Sequence, residues 1–120
     1  MNRTIMPQKG GYNRQENFNM IYVIASIHIK EGHVPDFIDI FKSNIPHVLA
    51  EEGCIEYAPT VDLATGLPPQ AIDANVVTII EKWRSLDDLN RHLAAAHMRA
   101  YREKVKDLVQ TLSLKVLSEA

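Results

Sequence analysis

The sequence predicts an α+β domain with a ferredoxin-like βαββαβ order, and three observations predict it. A β-branched, alternating segment opens the pattern at Ile21. Two amphipathic helical segments follow, each lying between strand-like segments. A Gly- and Pro-rich connection joins the two middle strands. Both crossovers are then helical and right-handed, which places both helices on one face of a four-stranded antiparallel sheet.

The first strand is read from Ile21 to Lys30, with Ile21, Val23, Ala25, Ile27 and Ile29 on one face and Tyr22, Ile24, Ser26 and His28 on the other. A helix is expected from about Val34 to Glu52, with Pro35 suited to its first turn and Gly53 to its stop. Its stripe is Val34, Phe37, Ile38, Phe41, Ile45, Val48 and Leu49, and Pro46 should bend or split it. Cys54 to Asp62 forms the second strand, which Pro59 demotes to an edge. Residues 63–75 make a long connection, either a lid or a plain surface insertion. Val76 to Trp83 is the third strand, with an apolar start that suggests burial on both faces. Ser85 caps a single second helix, with Asp88 three residues on in a box-like arrangement. Its expected stripe is Leu86, Leu89, Leu93, Ala96, Ala100, Lys104 and Leu108, with Tyr101 and Val105 flanking. Thr111 to Leu117 closes the sheet, with Leu112, Leu114 and Val116 facing one way.

Residues 1–19 are polar, contain a Gly-Gly pair and lack periodicity, so they are read as an N-terminal arm or leader ahead of a domain at 20–120. With 120 residues and 46% hydrophobic content, the chain can build one real core. Its net charge of -2 and lack of a basic run exclude a nucleic-acid footprint. The single cysteine, Cys54, excludes an internal disulfide and fits a reducing compartment. No apolar run approaches the ~18 residues of a membrane span, and no signal-peptide order is present. A cytoplasmic location without a membrane partner is expected. With both helices on one sheet face, apolar residues such as Tyr22, Ile24, Val76 and Ile80 are left on the other, which predicts a homodimer packed sheet to sheet.

The run Glu81-Lys82-Trp83-Arg84-Ser85-Leu86-Asp87-Asp88-Leu89, followed by His92 and by Ala96-His97-Met98, resembles the third-strand-to-helix segment of antibiotic biosynthesis monooxygenase domains. Gly53-Cys54 followed by Tyr57 is similar to that family's small-residue turn and aromatic second strand. The similarity covers about residues 20–118. It implies a dimeric α+β barrel and, for members that are enzymes, oxidation of hydroquinones or anthrones with dioxygen and no metal or flavin. The 63–75 loop is longer than the tight connection expected of simple quinol-oxidising members. Ser26 and His28 stand where a haem-degrading member would need an asparagine, which weighs against haem.

Such chemistry needs a base, donors for the resulting oxyanion and apolar walls. His97, about 40° from Leu93 on a helical wheel, should face the sheet and is the first candidate for the base; the alternative is a hydrogen-bonded structural histidine. Trp83 is a candidate pocket wall and N–H donor, or else a core tryptophan. Tyr57 could donate to a substrate oxygen or fill the core. Glu81, His92 and His28 are candidate substrate-binding residues. Glu81 matters only if it points inwards, while His92 at the stripe's edge is expected to be solvated or at an interface. His92 and His97 are about 140° apart on one helix and cannot form an i, i+4 metal pair, so no metal site is expected. The reading is a cofactor-independent monooxygenase acting on a small electron-rich aromatic. A non-catalytic ligand-binding or stress-responsive dimer on the same scaffold, and a haem-binding or haem-degrading protein, stay open as rivals.

Overall fold

The structure, a computed structural model, describes residues 20–120. The arm or leader assigned to residues 1–19 lies outside the described residues. The elements are β1 (Ile21–Ile29), α1 (Val34–Leu49), β2 (Cys54–Val61), β3 (Val76–Trp83), α2 (Leu86–Ala94), α3 (Ala96–Val105) and β4 (Val109–Ser118). The sheet runs β2-β3-β1-β4, with every neighbouring pair antiparallel. This is the expected ferredoxin-like topology, with β2, the Pro59 strand, at an edge.

Alternation does in β1 what its sequence demands. Val23, Ala25, Ile27 and Ile29 are buried under the helices, while Tyr22, Ile24, Ser26 and His28 lie on the opposite face. In β3 the buried set is Val77, Ile79, Glu81 and Trp83. The other side of β3 stays partly open, with Ile80 37% exposed, so burial on both faces is not what this strand has. Phe37, Phe41 and Val48 anchor α1 in the core, and the Phe41 ring stacks on Tyr57 at 5.2 Å. Leu49, placed in the expected stripe, is instead exposed. Pro46 does not split the helix, which runs unbroken from Val34 to Leu49, and the Pro46 carbonyl accepts from Ala50 N at 3.2 Å at its end.

The second helical segment departs most from expectation. Ala95 adopts an extended conformation (ψ 146°) and divides the segment into α2 and α3. The break resets the helical phase, so the stripe drawn for one continuous helix fails. Leu86 and Leu93 are exposed, whereas Leu89 and His92 in α2 and Met98, Tyr101 and Val105 in α3 are buried. The cap is as expected: Ser85 Oγ accepts from Asp88 N at 3.2 Å and donates to Asp88 Oδ2 at 2.9 Å.

Helix cover stops short of β4. Register pairs Leu112, Leu114 and Val116 with Ile27, Ala25 and Val23, so they share the helix-side face, yet each is about half exposed. The 62–75 connection holds itself together on the surface. Gln70 Nε2 donates to Leu63 O at 2.7 Å, and Asp73 N donates to Asp62 Oδ2 at 2.8 Å. No helix among the described residues is long and apolar enough to cross a membrane.

Candidate active site

Two residues apart on a strand means one face, and this brings Glu81 and Trp83 together beneath the helices. Trp83 Nε1 donates to Glu81 Oε1 at 2.9 Å. Antiparallel register sets Tyr57 of β2 beside Glu81. From α2, the His92 ring lies 4.6 Å from the Trp83 ring and 5.4 Å from that of Tyr57, centroid to centroid. Tyr57, Glu81, Trp83 and His92 therefore form one buried cluster on the helix side of the sheet.

Burial governs the titration of these groups. It pushes the Glu81 carboxyl up to about 7, with the nearby Glu51 charge adding to the rise and the Trp83 N–H opposing it. The Tyr57 phenol is driven far above its ordinary value by burial first and then by Glu81, so it remains a proton donor. Burial lowers His92, although the Glu51 carboxylate pulls the other way. Cys54 is raised to about 11, chiefly by burial, so it is a thiol at neutral pH and not a nucleophile.

The chain joins this cluster to the surface through Glu51, in the turn after α1. Glu51 Oε2 lies 3.0 Å from His92 Nδ1 and 2.7 Å from His97 Nε2, the second approach being too poorly aligned for a hydrogen bond. His97 Nδ1 lies 3.2 Å from Asn44 Nδ2, which also reaches Met98 Sδ at 3.4 Å. Above them opens a cleft of about 510 Å³ whose walls include His47, Glu51, Arg91, Ala95 and His97. No residue of the 63–75 loop lines it.

The structure gathers five of the six candidate residues and reverses the expected positions of the two histidines. His92, expected to be solvated or at an interface, is 1% exposed. His97, expected to face the sheet, turns towards α1 and borders the cleft with its side chain 24% exposed. The 140° separation holds only for an unbroken helix. The break at Ala95 brings the two imidazole centroids within 6.4 Å. His28 is not part of the cluster: it is exposed on the sheet face opposite the helices.

Sequence reasoning missed Glu51 and Asn44. Asn44 had a signal, since it lies three residues after Phe41 and four before Val48, a polar residue along the buried face of α1. Glu51 had little signal, because one acid of a Glu-Glu pair before a turn glycine reads as surface.

A second structural device fixes the start of α2. The buried Asp88 carboxylate receives Arg84 Nε at 3.2 Å and is also bonded by Arg91 Nη2. Burial alone would raise its pKa, but the Ser85 hydroxyl and the two guanidinium groups outweigh it and hold Asp88 below the usual carboxylate range. Gly53 (φ +83°) faces this carboxylate, and a Cβ there would overlap it.

Comparison with known proteins agrees with this architecture. Residues 20–104 match the family model for antibiotic biosynthesis monooxygenase. Probable quinol monooxygenase YgiN of Escherichia coli (strain K12) is 40% identical over 100 residues, covering 82% of this chain and 96% of that protein. A conserved protein from Methanosarcina mazei Go1 superposes with a TM-score of 0.76 at 21% identity, covering 89% of this chain and 99% of that one. SnoaB, a cofactor-independent oxygenase from Streptomyces nogalater, superposes with a TM-score of 0.69 at 12% identity, covering 84% and 93%. The two superpositions show a shared fold. The family match and the 40% identity show more: the chain belongs to the antibiotic biosynthesis monooxygenase family.

Proposed function

We propose that this protein is a monooxygenase that oxidises a small electron-rich aromatic, of the hydroquinone or anthrone class, with dioxygen. The observation that carries the proposal is His92, an imidazole bonded to the Glu51 carboxylate and set among the rings of Trp83 and Tyr57. A base in an apolar aromatic setting is what this oxidation requires of a protein. Removing the substrate's hydroxyl proton gives an anion that can pass an electron to dioxygen. One oxygen atom then enters the ring carbon and the other leaves as water. All four electrons come from the substrate, so a hydroquinone becomes a hydroxyquinone and no external reductant, metal or flavin is consumed. The Glu51-linked histidines take the proton, Tyr57 and Trp83 flank the ring, and the Tyr57 hydroxyl donates to the oxyanion.

Both faces of β4, and the sheet face bearing Tyr22, Ile24, Val76 and Ile80, support a homodimer as the working form. The non-catalytic ligand-binding reading keeps one observation in its favour. Trp83, Tyr57 and His92 are packed as core, and the cleft reaches Glu51 and His97 without reaching them. The haem reading gains nothing, since Ser26 and His28 lie on the face away from the cluster. Oxygen uptake by the purified protein over a panel of hydroquinones and anthrones decides between the first two. Saturable uptake supports the monooxygenase, whereas ligand binding without uptake across the panel supports the binding protein.

A further inference from the structure

We propose that His92 is the residue that accepts the substrate proton and that Glu51 is its positioning residue, holding Nδ1–H so that Nε2 is the basic nitrogen. The inference rests on the monooxygenase reading above and goes further by assigning separate roles within the histidine pair.

Hydrogen-bond accounting carries it. An ionised carboxylate only accepts, so the 3.0 Å contact with Glu51 Oε2 requires the proton of neutral His92 to sit on Nδ1. The lone pair is then on Nε2. A carboxylate behind an imidazole fixes its tautomer and stabilises the imidazolium that forms when the ring takes a proton. His97 lacks that freedom. The Asn44 amide is oriented by Met98 Sδ so that Nδ2 points at His97 Nδ1, which makes Nδ1 the acceptor and leaves the ring proton on Nε2, facing Glu51. His97 thus has its only ring lone pair committed to Asn44, while its Nε2 faces Glu51 without an aligned hydrogen bond. Its place at the cleft wall and its proximity to Glu51 suit it to passing the proton outwards after the chemical step.

The charged and titratable surroundings are few. Glu51, His97 and Arg102 act on His92, with Glu81 beyond Trp83; Glu51, His47, His92 and Arg91 surround His97. Of these, only Glu51 bonds His92 directly. Loss of its charge should weaken His92 as a base without opening the site.

Imidazole ¹⁵N NMR of the full chain tests the positioning claim without any substrate. In wild type, His92 should be the Nδ1–H tautomer at pH 7. In Glu51→Gln, which retains an acceptor but no charge, the His92 pKa should fall further. In turnover, Glu51→Gln should lower kcat by roughly tenfold or more with KM little changed, and should move the acidic limb of the kcat profile to lower pH. An Nε2–H tautomer in wild-type His92, or a His92 pKa unmoved in Glu51→Gln, overturns the proposal even if the variant is inactive. Expected NMR behaviour in a protein that turns over no quinol or anthrone supports the Glu51 positioning and overturns His92 as a proton acceptor, together with the monooxygenase reading.

Discussion

Trp83 and Glu81 stand on one face of β3, and the indole Nε1 donates to the carboxyl Oε1 at 2.9 Å where neither side chain meets much solvent. One donor does not replace the hydration a carboxylate loses on burial, so the neutral acid is favoured and its pKa rises to about 7 from an ordinary 4.5. The folded chain therefore holds a proton between pH 4.5 and 7 that the unfolded chain releases. The stabilisation is complete below about 4.5 and is lost as pH rises through 7, amounting to roughly 3 kcal/mol.

Replacement of Glu81 by Gln keeps an acceptor for Trp83 and removes the charge. Urea unfolding at pH 6 and pH 9 should show the variant gaining on wild type with rising pH, by roughly 1–1.5 kcal/mol, the remainder of the loss falling below pH 6. An identical pH dependence in both proteins would contradict the burial of an ionisable carboxyl at this position.

Gly53 faces the Asp88 carboxylate with a positive φ and no space for a Cβ. Gly53→Ala should lower stability by roughly 1–3 kcal/mol for the backbone conformation alone, with the overlap adding to it. Thermal melts measure the loss. A change within about 0.5 kcal/mol, the range of an ordinary surface substitution, would show that the turn and the start of α2 are not coupled as described.

The uncovered sheet positions predict self-association. Light scattering over a dilution series should report a dimer, and Ile80→Glu, placed between Ile24 and Ala58 in the register, should give a monomer. A strict monomer in wild type would remove the dimer from the account.

The sequence carried the fold well because period-two and period-3.6 patterns depend on local geometry. β1, α1 and β3 are where Ile21, Phe37 and Val77 indicate, and Ser85 caps its helix through Asp88 as its spacing implies. It carried the site poorly for one physical reason. Ala95 is an unremarkable residue in a helical run, yet its extended conformation frees the phase of α2 from that of α3, and the buried face of α2 runs through Leu89 and His92 with Leu93 outwards. The contacts of Glu51 with His92 and His97 span 41 and 46 residues, a separation no local pattern encodes.

The two histidines should respond differently to the same substitution. His92→Gln removes the proposed acceptor and should cost about 10²–10⁴-fold in kcat. His97→Gln should cost less, since an amide can replace its bond to Asn44. Steady-state oxygen uptake compares them, and a larger loss at His97 would return the base to the cleft wall.

The most direct measurement is isotopic. Wild-type protein supplied with ¹⁸O₂ and a hydroquinone, with the product trapped at once by reduction, should place one labelled oxygen on the ring and the other in water, at a rate that His92→Gln largely abolishes. Product oxygen derived from solvent, or label incorporated as fast without protein as with it, would contradict the claim that this chain is a monooxygenase.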